Sequence, residues 1–256
     1  MVNMRPAVFL FIAFAILWLG LWLGSWIMHR VPQKDQEADL LKTVEGASLT
    51  LLALLLGFTF SMAVSRYELR KDLIISEANA IGTTWLRTAI LPEPTRTEEQ
   101  QLLRQYVPAR IEFLASGNAA DRMQASLVAS NALEARLWAI ASSYAADHRD
   151  ALSALFLTTL NQAIDLSESR TAAFENRIPV MAWVMLLLLG FAAMAVVGVR
   201  VNSRSTGLRI ALPLVIALVM AMTLDLDSPR YGVIRATQPS MERVAELVAG
   251  PPPQAP

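Results

Sequence analysis

Two carboxylates, Asp225 and Asp227, stand at the C-terminal end of an apolar run. The helix dipole there already presents partial negative charge, so acids are disfavoured unless something offsets them. Arg230 lies within reach of Asp227 at i,i+3, and Arg235 and Arg177 are further candidates. Side chains two apart point to nearly opposite faces of a helix, so this pair does not share a metal unless Ser228 and Pro229 unwind the end. Structural ion pairing and an ion or gating site are the two readings that remain, since a rule broken locally often marks function.

Other polar residues cluster around a second apolar run. Ala53, Gly57, Ser61 and Ser65 recur every four residues and form one ridge of small side chains. Such a ridge lets membrane helices approach closely. The alternative is a narrow polar conduit lined by Gly57, Thr59, Ser61 and Ser65, with Phe58 or Met62 as its constriction. Just beyond come Arg66, Arg70 and Lys71, a cationic collar suited to lipid headgroups or, repeated around an oligomer, to concentrating anions at a pore mouth. Further on, Glu77 shares a face with Arg70, and Asn79 and Thr83 form a polar i,i+4 pair. Glu175, Asn176 and Arg177 approach the third apolar run, and Arg66 is expected to meet Glu175 in a salt bridge.

Catalysis has little support. The two histidines, His29 and His148, have no metal-ligand partner at helical spacing, and no nucleophile motif or glycine-rich phosphate loop occurs. We expect neither an enzyme nor a cofactor or metal. The absence of cysteine removes disulfides and thiolate metal sites. A formal net charge of zero argues against nucleic acid as a partner.

The elements that must position these residues are membrane helices. With 54% apolar and only 17% charged residues, the composition is that of a membrane protein. The windows 7–28, 46–65, 178–199 and 208–224 are almost free of Asp, Glu, Lys and Arg and long enough to cross hydrocarbon. The first is too long for an ordinary signal peptide and lacks a small-residue cleavage site, so it reads as a retained span. Trp18, Trp22, Trp26 and Trp183 read as interfacial anchors, with a subunit contact as the alternative. Gly20, Gly24, Gly190 and Gly198 are weaker packing signals.

From 46 to 91 no proline interrupts the chain, so one helix is expected to leave the bilayer and continue into water. The soluble part reads as helices. Thr97 with Gln100 forms a capping box, Pro108 should kink the helix that follows, and Gly117 with Asn118 closes it. Another helix runs to about Ala146, and Asp150 opens a last one expected to continue through Arg177 into the third span. Leu152, Leu155, Phe156, Thr159, Ala163 and Leu166 mark its buried face, packed antiparallel to the ascending helix. The fold class is therefore an all-α membrane protein with four spans, a helical domain between spans two and three, and long helices continuous between membrane and water. Its parts are 1–65 (spans one and two), 66–177 (soluble helices), 178–227 (spans three and four) and 228–256, a C-terminal segment with a disordered proline-rich end.

An even number of spans puts the N-terminus, helical domain and C-terminus on one side. Arg5, Arg66, Arg70, Lys71, Arg170, Arg177, Arg230, Arg235 and Arg243 there outnumber Arg30, Lys34, Lys42, Arg200, Arg204 and Arg209 opposite, which favours the cytoplasm.

The assembled motifs resemble the bestrophin-like integral-membrane proteins of bacteria. They are Gly57-Phe58-Thr59-Phe60-Ser61; Asp72 followed by Glu77-Ala78-Asn79-Ala80-Ile81-Gly82-Thr83; Asn176-Arg177-Ile178-Pro179; and Leu224-Asp225-Leu226-Asp227 with Pro229-Arg230 and Gly232. The resemblance spans about residues 45 to 238 and implies a bacterial inner-membrane protein in contact with lipid. That family has no settled activity. Bestrophins themselves are pentameric anion channels with four spans per subunit, which implies a homo-oligomer passing a small ion along an axis lined by span two. No residue-by-residue match to their pore neck or calcium clasp is present, so anion selectivity and calcium gating do not carry over. The rival expectation is a signalling or scaffold protein whose helical domain binds a ligand or partner protein.

Overall fold

A computed structural model describes residues 4–28, 35–117, 119–200, 206–230 and 232–251. His29, Arg30, Lys34, Asn118, Arg204 and the end of the proline-rich tail lie outside the described residues. Eight α-helices are described: α1 (Pro6–Met28), α2 (Asp35–Arg87), α3 (Thr95–Ala115), α4 (Ala120–Asp147), α5 (Ala151–Glu175), α6 (Val180–Arg200), α7 (Thr206–Asp227) and α8 (Pro239–Ala249). No strand occurs among the described residues, and four helical stretches are long and apolar enough to cross a membrane. The chain divides into a unit of residues 1–67 with 177–235 and a unit of 68–176 with 236–256; α2 contributes to both.

The first unit holds α1, the first part of α2, α6 and α7. Because lipid tails are as apolar as leucine, close packing rather than burial from water must hold such helices together. Glycine makes it possible here. A Cβ added at Gly24 would lie 1.9 Å from the Ala195 carbonyl oxygen, and one at Gly198 would lie 2.0 Å from that of Leu21. The α1 and α6 backbones therefore touch, and Leu17, Leu21, Ala193 and Met194 fill the seam around them. Trp18, Trp22 and Trp26 face outward. Trp183 does not: it is buried edge-on against Phe9 with ring centroids 5.3 Å apart, and so is a core residue rather than the expected anchor.

In the second unit the later part of α2 runs antiparallel to α5. Arg70 reaches the Ala173 and Asn176 carbonyls, Glu77 meets Arg170, and Arg87 donates to the Leu155 carbonyl at 3.0 Å. Helices α3 and α4 pack on one another, α4 packs on α5, and α8 on α3. Trp85, Leu102, Leu103, Tyr106, Phe156 and Met241 lie in its core. The sequence reading has no helix α8. Its signal is Pro239 in the first turn followed by Met241, Val244 and Val248, an apolar stripe that is buried.

Local details depart from expectation for identifiable reasons. α2 begins at Asp35, ahead of its apolar window. α3 starts at Thr95 behind Pro94, whose side chain cannot cap it, and the Thr97–Gln100 box does not form, because the Glu93 carboxylate accepts from both the Thr97 amide and hydroxyl while Gln100 turns away to the Thr88 hydroxyl. It continues through Pro108. Gly117 supplies the left-handed residue that closes it, at φ 51°. Asp150 opens α5 through a capping box with Ser153. On that helix Leu152 and Leu155 are exposed, and Ser167 and Arg170 are buried instead, so the inward face is more polar than the leucine spacing suggests.

The expected run from α5 into α6 is interrupted. α5 ends at Glu175, Asn176 is extended, and α6 begins at Val180. Pro179 disfavours helical geometry at Ile178, which frees the Ile178 amide.

Candidate functional sites

That freed amide leads to the first site, which lies in the spanning unit. Asp227 is 2% exposed, and its two carboxylate oxygens accept from the Ile178 N–H at 3.2 and 3.1 Å. The Arg66 guanidinium stands 3.7 Å away. Arg66 thus takes Asp227 as its partner where Glu175 was expected, and Glu175 itself is exposed. Asp225 does different work. Its oxygens accept from the Val233 and Ile234 amides at 2.7 and 2.8 Å, folding the segment after α7 back on the helix end. Gly232 sits beneath this loop, where an added Cβ would lie 2.8 Å from the Asp225 carbonyl oxygen. Backbone amides therefore offset both aspartates, with Arg66 added at Asp227. The side chain of Arg235 donates to the Gly232 carbonyl instead. Arg230 is half-buried. At the other end of the same bundle Arg200 pairs with Glu45.

The span-two residues divide between two faces. Leu52, Leu56, Thr59 and Ala63 are buried, and the Thr59 hydroxyl donates to the Leu55 carbonyl at 2.7 Å. Thr59 therefore points into the helix bundle and not along a conduit with the serines. Gly57, Phe58, Ser61, Met62 and Ser65 are exposed, and a Cβ on Gly57 would meet nothing within 4 Å. The collar also divides. Lys71 is exposed, whereas Arg70 is 2% exposed and spends its guanidinium on the last carbonyls of α5, where cations complement the helix dipole.

In the second unit Glu77 is fully buried. Its Oε1 lies 2.5 Å from Arg110 Nε, and its Oε2 accepts from Arg170 Nη1 at 2.7 Å. Both guanidinium groups stack within 5.6 Å of the Phe113 ring, and Arg110 also donates to the Ser167 carbonyl. Arg170 reaches Gln238, whose amide donates to the Ile111 carbonyl. Nearby, Glu134 accepts from the Tyr106 hydroxyl at 2.7 Å and from Ser167 at 2.6 Å. Burial pulls both guanidiniums down. At Arg110 the carboxylate of Glu77 more than restores the balance, whereas Arg170 stays below the usual arginine range. The Tyr106 phenol is pushed well up by burial, with Glu134 adding to the effect. These groups hold α2, α3, α4 and α5 together through charge.

Glu99 stands apart, with both oxygens buried and without a hydrogen-bond partner. Burial, with Glu98 beside it, pushes its carboxyl up to about 8. Sequence reasoning passed over Arg110, Glu134 and Glu99. For Arg110 and Glu99 the available signal is a charge at helical spacing within the apolar set Leu102, Leu103, Tyr106, Val107 and Phe113.

Asn79 and Thr83, from the same motif as Glu77, face the other way. With Ser76 and Arg87 they line a groove of about 480 Å³ against Thr158 and Gln162 of α5. Among the described residues no group of three or more His, Asp or Glu side chains is placed to hold a metal ion.

Four apolar spanning helices and a helical domain inserted between the second and third define a multi-pass membrane protein in contact with the lipid bilayer. The Bestrophin-like domain matches residues 11–241, and the chain belongs to that family. No curated protein matches the chain.

Proposed function

We propose that the chain assembles as a homo-oligomer whose axis is lined by the exposed face of α2, forming an ion channel. One observation carries this reading. On that face the Ser61 and Ser65 hydroxyls make no hydrogen bond among the described residues, whereas Thr59 and Thr223 in the spans each bond to their own helix. A hydroxyl left unpaired in hydrocarbon is costly, and water along an axis or a second copy of the chain would satisfy it. Gly57 leaves open space beside them. Phe58 and Met62, 60% and 42% exposed, are the large side chains flanking that strip and supply its constriction.

Anions are the species to test first, on the family's relation to bestrophins. Of the collar, Lys71 is exposed, whereas Arg66 is engaged with Asp227 and Arg70 with α5. The membrane is the bacterial inner membrane, with both termini and the helical unit in the cytoplasm. A phosphatase fused to the C-terminus should then be inactive, and activity there reverses the orientation. For conduction the test is bilayer recording of the purified protein together with its mass in detergent. A symmetric oligomer whose conductance falls in Ser61→Leu supports the channel. A monomer, or no current across voltage and pH, overturns it.

A further inference from the structure

The groove between α2 and α5 is built from two helices of one unit and stands independently of whether the spans conduct. Ser76, Asn79, Thr83 and Arg87 follow one another on a single face of α2, opposite the buried face that carries Glu77, Ile81 and Trp85. Across from them Thr158, Thr159 and Gln162 complete a wall of polar groups, and Ala80 and Leu155 form an apolar strip.

The donors and acceptors have a definite polarity. Arg87 anchors one end through its single bond from Nη1 to the Leu155 carbonyl, which leaves the rest of its fork uncommitted. The Asn79 and Gln162 amides and the Ser76 hydroxyl make no hydrogen bond among the described residues. Thr83, Thr158 and Thr159 donate their hydroxyl protons to helix carbonyls, so each turns lone pairs outward as an acceptor. No carboxylate lines the groove. One fixed cation, free amides and hydroxyl acceptors within about 480 Å³, a volume in the range of small-molecule sites, match a compact anion with a hydrogen-bonding body. A guanidinium recognises carboxylate and phosphate alike through paired N–H donors.

We propose that this groove binds a small hydroxylated oxyanion, its carboxylate or phosphate on Arg87 and its hydroxyls on the threonines and amides. The test uses the full chain in detergent, with malate, glucose 6-phosphate, inorganic phosphate and neutral glucose as probes at about 10 mM, a concentration at which a site of micromolar affinity raises the unfolding temperature. Malate or glucose 6-phosphate should stabilise the protein saturably, and which of the two does so assigns the head group. Glucose should not. Arg87→Gln should weaken binding at least about tenfold. Thr83→Glu, which places a carboxylate four residues before Arg87 and occupies its fork from within, should do the same without removing the arginine. Arg243→Gln, on α8, should bind as the parent does. Stabilisation by none of the anions, or equal binding by the parent and both groove variants, overturns the proposal. A groove covered by a second copy of the chain would give the first of these results.

Discussion

Replacing Glu77 by glutamine keeps its volume and removes its charge from between Arg110 and Arg170. At an effective dielectric of about 20, with charge centres roughly 4 Å apart, each pair is worth about 4 kcal/mol before desolvation. Desolvation of three ions offsets much of that sum, so the pairs contribute little net stability compared with an apolar replacement. Loss of the carboxylate alone is different, because it leaves two guanidiniums buried at 1% and 0% side-chain exposure without the carboxylate they share. The expected cost is about 3–5 kcal/mol. Native-state hydrogen exchange on the full chain in detergent reads this locally. Amides of α2 around Ile74 to Trp85 and of α5 around Ala163 should exchange on the order of a hundred- to a few thousand-fold faster. The triple change Glu77→Leu, Arg110→Met, Arg170→Met removes the charges together and should return protection close to the parent level. Less than a tenfold change in Glu77→Gln, or a triple variant worse than the single one, refutes the reasoning that this carboxylate neutralises the two arginines.

Gly24→Leu should separate α1 from α6 and lower the unfolding temperature in detergent by several degrees, whereas Gly57→Ala, with open space around it, should leave the fold of the chain intact. A change of subunit number or conductance in Gly57→Ala alone would then report on contacts between copies. The Glu99 carboxyl has a folded-state pKa of about 8 against 4.5 ordinarily, so the folded state holds the extra proton. Its stabilising contribution is complete below about pH 4.5 and is lost as pH rises through 8, so stability should decline across that window. Glu99→Gln should flatten the decline in unfolding curves, and an unchanged pH profile refutes the assignment. Asp225→Ala strands the Val233 and Ile234 amides at roughly 1–3 kcal/mol each, and should make the segment after α7 cut faster in limited proteolysis.

Several features of this chain are legible in its sequence because their causes are local. Hydropathy over some twenty residues marks each span, since hydrocarbon demands it continuously along the chain. The Asp150 cap and the left-handed Gly117 depend on backbone groups within a few positions. The motifs of the bestrophin-like family were likewise readable. Partners distant in sequence were not. Helix register puts Arg66 level with Glu175, yet its partner is Asp227, which the Ile178 amide at the Pro179 break also holds. In the sequence Glu77 has a polar role but no partner, because its counter-ions, Arg110 and Arg170, come from two other helices. Arg70 read as a collar residue because the α5 carbonyls that bury it are more than a hundred positions away.

What the sequence by itself determined is therefore the class: an all-α chain of four spans with a helical insert and a second helix that runs on beyond its apolar window. Tertiary structure decided which face of that helix is covered, which acids meet which bases, and that Asn79, Thr83 and Arg87 share an open polar groove. The physical reason is that hydropathy and capping act through neighbours along the chain. Charge pairing and burial act through neighbours in space, and only packing chooses those.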